Sequence, residues 1–151
     1  MSRTIFILNG PNLNRLGQRE PSIYGTETLA DIRQRCEERA ASQGLSLDFR
    51  QTNIEGVLVE HVHEAIDTGA VGLIINPAGY SFTSVALLDA LKMFDGPKLE
   101  VHLSNIHARD AIYHHSLVSK VATAVIAGLG GDGYLHAVDA VARLAAKKAS
   151  A

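Results

Sequence analysis

Cysteine occurs once in the 151 residues, so Cys36 can form no internal disulfide, as befits a reducing compartment. An excess of charge of either sign is also missing. Fourteen Lys and Arg against sixteen Asp and Glu leave a formal net charge of −2. No bulk attraction to nucleic acid or to an anionic membrane follows from that balance. No apolar run approaches the roughly 20 residues needed to span a bilayer. The amino-terminal MSRTIFILNG carries one basic residue and a very short apolar segment, without the longer apolar region of a signal peptide. A cytoplasmic location is therefore expected. There is no G-x-x-x-x-G-K-[ST] loop, CxxC, HExxH or carboxylate-rich loop of the kind that holds a metal. What is present, 46% hydrophobic and 20% charged residues, is ordinary for a soluble protein. The length predicts one domain over residues 1–151 with a real core.

Two kinds of segment alternate along the chain. Thr4 to Asn9, Val71 to Asn76, Lys98 to Leu103 and Ala122 to Ala127 read as strands, the first two apolar on both faces. Ser46 to Gln51 alternates like a less buried strand. Between them lie helical stripes: one capped by Thr26 or Thr28 and closed at Gly44, one capped by Asn53 and closed at Gly69, and one starting at Thr83 or Ser84 and ending near Gly96. A last helix covers Gly133 to Lys147, with an Ala- and Lys-rich tail expected to fray. Five βα units predict a flavodoxin-like α/β fold: a five-stranded parallel sheet of order 2-1-3-4-5, with helices on both faces.

Polar residues gather after strands one, three and four: Asn12, Arg19 and Tyr24, then Asn76 and Tyr80, then His102, Ser104 and His107. In a parallel sheet those carboxyl ends share one edge, where ligands of such folds bind. One site built from three distant segments is therefore expected. Gly128-Leu-Gly-Gly-Asp-Gly133 matches G-x-G-x-x-G, but no strand with an acidic residue follows it, so a tight turn is the better reading. The histidines do not form a metal set. His61 and His63 do not face each other on a helix, and His114 and His115 diverge. Cys36 lies on a helical stripe as a core residue. None of Lys92, Lys98, Lys120, Lys147 and Lys148 looks desolvated enough for a Schiff base. Glu100 and His102 point to the same strand face, so the carboxylate can orient the imidazole and raise its basicity. That makes His102 a candidate general acid. Tyr24, with arginines nearby, is a candidate general base, since a close cation favours the phenolate.

The stretches Asn9-Gly-Pro-Asn-Leu-Asn, Leu16-Gly-Gln-Arg-Glu-Pro-Ser-Ile-Tyr-Gly25, Asn76-Pro-Ala-Gly-Tyr, Thr83-Ser-Val-Ala-Leu and Glu100-Val-His-Leu-Ser-Asn-Ile-His-Ala-Arg109 together resemble the type II 3-dehydroquinate dehydratase family over nearly the whole chain. The resemblance implies a flavodoxin-like hydro-lyase that takes a small-molecule substrate, 3-dehydroquinate, in the shikimate or quinate pathway. It uses neither metal nor cofactor and assembles as a homo-dodecamer, a tetramer of trimers. It also implies roles for residues here. Tyr24 would remove the proton next to the ketone, with Arg19 keeping it acidic. Asn12 would hold a water against the enolate oxygen. His102 would protonate the leaving hydroxyl, oriented by Glu100. Arg109 would be a further active-site arginine. Asn76, Ala78, Gly79, Leu103 and Ser104 would bind substrate, the last two through their amides. Asp89 would reach a neighbouring subunit's site.

Three positions depart from the family pattern. Phe82 stands where histidine is usual, Leu88 where arginine is usual, and Tyr113 near a usual arginine. Phe82 cannot hydrogen-bond, and Tyr113 cannot make a bidentate charged contact. The alternative these substitutions raise is a dehydratase-like paralogue for a different hydroxy-carbonyl acid, or a binding protein without turnover.

Overall fold

The structure is a computed structural model that describes residues 3–18 and 20–150, without the side chain of Tyr24. Its strands are β1 (Thr4–Asn9), β2 (Ser46–Gln51), β3 (Gly72–Asn76), β4 (Lys98–His102) and β5 (Ala124–Ala127). Its helices are α1 (Pro21–Tyr24), α2 (Leu29–Ala41), α3 (Glu55–Asp67), α4 (Val85–Lys92) and α5 (Asp132–Ser150). The sheet is parallel throughout, in the order β2-β1-β3-β4-β5. This is the expected flavodoxin-like arrangement.

Strand periodicity divides the core in two. Ile5 and Ile7 turn to one face, where Ile32, Cys36 and Ala40 of α2 meet Ala137, Val138 and Val141 of α5. Phe6 and Leu8 turn to the other, against Leu58 and Val62 of α3 and Leu87 and Leu91 of α4. A strand apolar on both faces needs this double cover. Cys36 belongs to the first core, where burial pushes its thiol up to about 12 and leaves it unreactive at neutral pH.

Local chemistry sets the helix starts. Thr28 and Asp31 form a reciprocal capping box on α2, at 3.0 and 3.1 Å. Ser84 accepts from the Leu87 amide at 3.0 Å and caps α4. The Asn53 cap expected for α3 is not made: the preceding residue is Ile54, and the Asn53 carboxamide instead accepts from the Asn12 amide at 2.9 Å. The tail does not fray within the described residues, because α5 continues to Ser150. The last strand is shorter than expected and begins at Ala124. The Gly128-Leu-Gly-Gly-Asp-Gly133 match is a tight βα turn over residues 128–131 that runs into the start of α5, with Gly128 and Gly130 at φ 93° and 58°.

One buried polar knot joins the layers. Tyr134 of α5 is fully buried, and its hydroxyl donates to Asn9 Oδ1 at 2.7 Å while accepting from Asn76 Nδ2 at 2.9 Å. Asn9 Nδ2 donates onward to the Arg50 carbonyl at 2.9 Å. The ends of β1 and β3 are thus tied to each other and to the helix above them. Burial raises the Tyr134 pKa well above its ordinary value, so the hydroxyl stays protonated and serves as a bridge. Tyr134→Phe should cost about 1–3 kcal/mol, because it leaves two buried carboxamides short of a partner. Urea denaturation monitored by circular dichroism will measure it.

Candidate active site

The loops that leave β1 and β3 are pressed together. Gly10 donates to the Asn76 carbonyl at 2.8 Å, and a Cβ on Gly10 would stand 2.4 Å from the Pro77 carbonyl oxygen. Only glycine permits that approach. Asn12 and Ala78 adopt left-handed backbone, at φ 71° and 50°. For a non-glycine residue this costs about 1–2 kcal/mol. Ala78 is held there by the hydrogen bond its backbone N–H donates to Asn76 Oδ1 at 3.2 Å. Asn53 supports Asn12 from below, and its own carbonyl accepts from the Tyr80 hydroxyl at 2.7 Å.

These loops and the segment after β4 enclose a cavity of about 140 Å³ at the carboxyl ends of β1, β3 and β4. Asn12, Asn76, Ala78, Gly79, His102, Leu103, Ser104 and Arg109 all line it. Eight of the residues singled out from the sequence therefore converge. Glu100 lies directly behind His102. Asp89 stands apart: it is exposed on α4 and pairs with Lys92 at 3.6 Å. Arg19 lies outside the described residues, as does the Tyr24 side chain; the Tyr24 backbone closes α1.

The strongest electrostatic feature is the pair on β4. Glu100 is wholly buried and His102 is 4% exposed. His102 Nε2 donates to Glu100 Oε2 in a short contact. Burial alone would raise the Glu100 pKa. Hydrogen bonds from His102 and from the Ser119 hydroxyl, with the nearby Ser116 hydroxyl dipole and the charge on His102, outweigh it and hold the carboxyl below its ordinary range. Glu100 is thus an anion inside the core. With Nε2 committed to it, Nδ1 is the imidazole nitrogen left for a ligand.

Phe82 and Tyr113 also line the cavity and pack edge to face, with centroids 5.4 Å apart. Phe82 lies nearly parallel to His102, its centroid 6.4 Å away. The Arg109 guanidinium sits 4.0 Å above the Tyr113 ring. The departures at 82 and 113 thus form one aromatic wall that supports an arginine. Leu88 is half-buried on α4 and does not line the cavity. No cluster of three or more His, Cys, Asp or Glu able to hold a metal occurs among the described residues. No helix among them is long and apolar enough to cross a membrane.

The model of the family described as dehydroquinase class II matches residues 3–142. This chain belongs to that family. It is 61% identical over 143 residues to a 3-dehydroquinate dehydratase of Bartonella henselae, covering 95% of this chain and 96% of that one. Over 146 residues it is 53% identical to a 3-dehydroquinate dehydratase of Cereibacter sphaeroides, covering 97% and 99%. The crystal structure of a type II dehydroquinase from Propionibacterium acnes superposes with a TM-score of 0.90 at 45% identity, covering 95% and 98%.

Three supporting residues of this dehydroquinase-family site escape motif reading: Ser116, Ser119 and Tyr134. Tyr134 carried one signal. A tyrosine within an aliphatic helical stripe needs a partner for its hydroxyl, which implies a polar group on the sheet beneath.

The Glu100 carboxyl sets a pH dependence of stability. Its folded pKa lies below the ordinary 4.5, so ionised Glu100 contributes stability that is complete above about 4.5 and is lost as pH falls through the folded value. Glu100→Gln should lower stability at pH 7 by about 1–3 kcal/mol and flatten its decline below pH 4.5. Urea midpoints collected across pH will show both effects.

Proposed function

We propose that this chain is a type II 3-dehydroquinate dehydratase, a hydro-lyase that removes water from 3-dehydroquinate to give 3-dehydroshikimate through an enolate. The observation that carries the reading is His102, paired with the buried Glu100 and lining the cavity, in a member of the dehydroquinase family. Elimination of this kind needs a base for the proton next to the ketone, stabilisation of the enolate, and an acid for the departing hydroxyl.

In this reading Tyr24 takes the proton, and Arg19 favours its phenolate form. Electron density moves onto the ketone oxygen, where Asn12 holds a water. The enolate then re-forms its carbonyl and expels the β-hydroxyl, which leaves as water with the proton from His102. Glu100 stabilises the imidazolium that supplies that proton. Asn76, Ala78, Gly79 and the Leu103 and Ser104 amides hold the substrate, the two amides through its carboxylate. Arg109 contributes positive charge from its seat on Tyr113. Every proton is accounted for by side chains of the chain itself, so the reaction proceeds without metal or cofactor.

The domain acts as one catalytic unit in the cytoplasm, assembled as a homo-dodecamer of four trimers, in a shikimate or quinate pathway. Support for assembly comes from the sheet edge: among the described residues β5 has no outer neighbour, and Val125 on it is 43% exposed. The exposed Asp89 on α4 fits a group that reaches a neighbouring subunit's site. The reading in which Phe82 and Tyr113 mark another substrate is less well supported, because the relatives above 50% identity carry the dehydratase name.

The test is a dehydration assay with 3-dehydroquinate and a metal chelator, following the ultraviolet absorbance of the conjugated enone product. The parent protein should turn over. Tyr24→Phe should lose at least 10²-fold in kcat, the lower range for removing a general base, with its circular dichroism unchanged. A Tyr24→Phe enzyme close to parental kcat would show that the base lies elsewhere.

A further inference from the structure

Both oxygens of the Glu100 carboxylate are engaged. Oε2 accepts from His102, and Oε1 accepts from the Ser119 hydroxyl at 2.6 Å. Ser119 is an exposed residue, yet its hydroxyl reaches a carboxylate with no solvent access. It belongs to a 3-10 turn, Val118–Lys120, whose position is set from two sides. Val118, 1% exposed, is buried among the apolar residues on the α3 and α4 face of the sheet. The Leu117 amide donates to the Ser81 carbonyl at 2.8 Å, which ties the turn to the segment after β3. The Ser116 hydroxyl is buried beside the same carboxylate. It completes no hydrogen bond there and acts as a nearby O–H dipole.

We propose that Ser119 is a positioning residue for the His102–Glu100 pair: its hydroxyl fixes the carboxylate rotamer and keeps Glu100 ionised, so that the imidazole is held in register with the cavity. The inference rests on the reading of His102 as the general acid. Its physical core is simple. A buried carboxylate with one imidazole donor can rotate or take up a proton. A second donor on the opposite oxygen resists both, because hydrogen bonds to the charged form favour it. Leu99 and Val101 face the α2 and α5 core, so Glu100 faces the other side, whose core includes Leu87, Leu91, Phe94 and Val118. The strand partners in register with it, Ile75 and Val125, are aliphatic. Among the described residues, His102 is the titratable group whose charge acts on Glu100. The serine hydroxyls therefore supply the remaining stabilisation of the anion.

The expected consequence is a shift on the acid side. Ser119→Ala destabilises ionised Glu100 relative to its protonated form, so protonation of the carboxyl moves to higher pH. The acid limb of kcat should rise by about one pH unit, the scale of one charge-assisted hydrogen bond, and kcat at neutral pH should fall because the carboxylate no longer holds the imidazole in one orientation. KM should stay within about twofold, since Ser119 does not line the cavity. Ser119→Thr keeps the hydroxyl and should restore the parental profile.

A second readout is independent of turnover. The ring resonances of His102, followed by NMR against pH, report protonation of the adjacent carboxyl as a low-pH inflection. That inflection should move up by about one unit in Ser119→Ala and return in Ser119→Thr. Identical His102 titrations in the parent, Ser119→Ala and Ser119→Thr overturn the inference, whatever the rates. A shifted titration in a protein whose parent shows no dehydration would support the positioning role and contradict the dehydratase reading instead.

Discussion

A carboxylate with no solvent access must be compensated, and the compensation of Glu100 governs the architecture of this site. Left alone, a buried carboxyl would take up a proton and become a neutral group of little use to a neighbouring imidazole. Here the anion survives because an imidazole and a serine hydroxyl meet its two oxygens from opposite sides. Those partners come from β4 and from a turn anchored in the α3 and α4 core. The chemistry at the sheet edge is thus inseparable from packing several residues away. A shift of the Val118 turn would be felt at His102 through Ser119 and Glu100.

A second constraint acts on the opposite side of the cavity. The loops after β1 and β3 leave the sheet side by side and must turn sharply to make room for a ligand. Gly10 permits their close approach, and Asn12 and Ala78 absorb the left-handed backbone that follows. The strain is offset by the bridge of Asn9, Tyr134 and Asn76 beneath them and by Asn53 beside them. Polar side chains that would be costly in an ordinary core are retained because they hold these loops still. The aromatic wall of Phe82 and Tyr113 does the same for Arg109, giving a flexible guanidinium a surface to rest on.

Much of this was legible in the chain because local patterns carried it. Strands apolar on both faces, helical stripes ending at glycine, and hydroxyl caps at Thr26 or Thr28 and at Thr83 or Ser84 specify five βα units, and a parallel sheet then places three strand ends together. Glu100 and His102 could be paired from strand periodicity alone. Other features had no local pattern that identifies their partners. The four-residue α1 is too short to show a period. Asn53 has the chemistry of a cap, but the Asn12 amide, 41 residues away, claims its side chain. Ser119 and Tyr134 act across 19 residues and across 58 and 125 residues respectively, distances over which no sequence period operates. Such contacts depend on tertiary packing.

The central claim is that the buried pair on β4 supplies the proton that lets the hydroxyl leave. The most direct measurement is kcat for His102→Gln on 3-dehydroquinate, with the fold verified by circular dichroism. Glutamine can keep a hydrogen bond to Glu100 and has no proton to deliver. The account predicts a fall of about 10²–10⁴-fold in kcat, the usual contribution of a positioned general acid. A folded His102→Gln protein with parental turnover would contradict it.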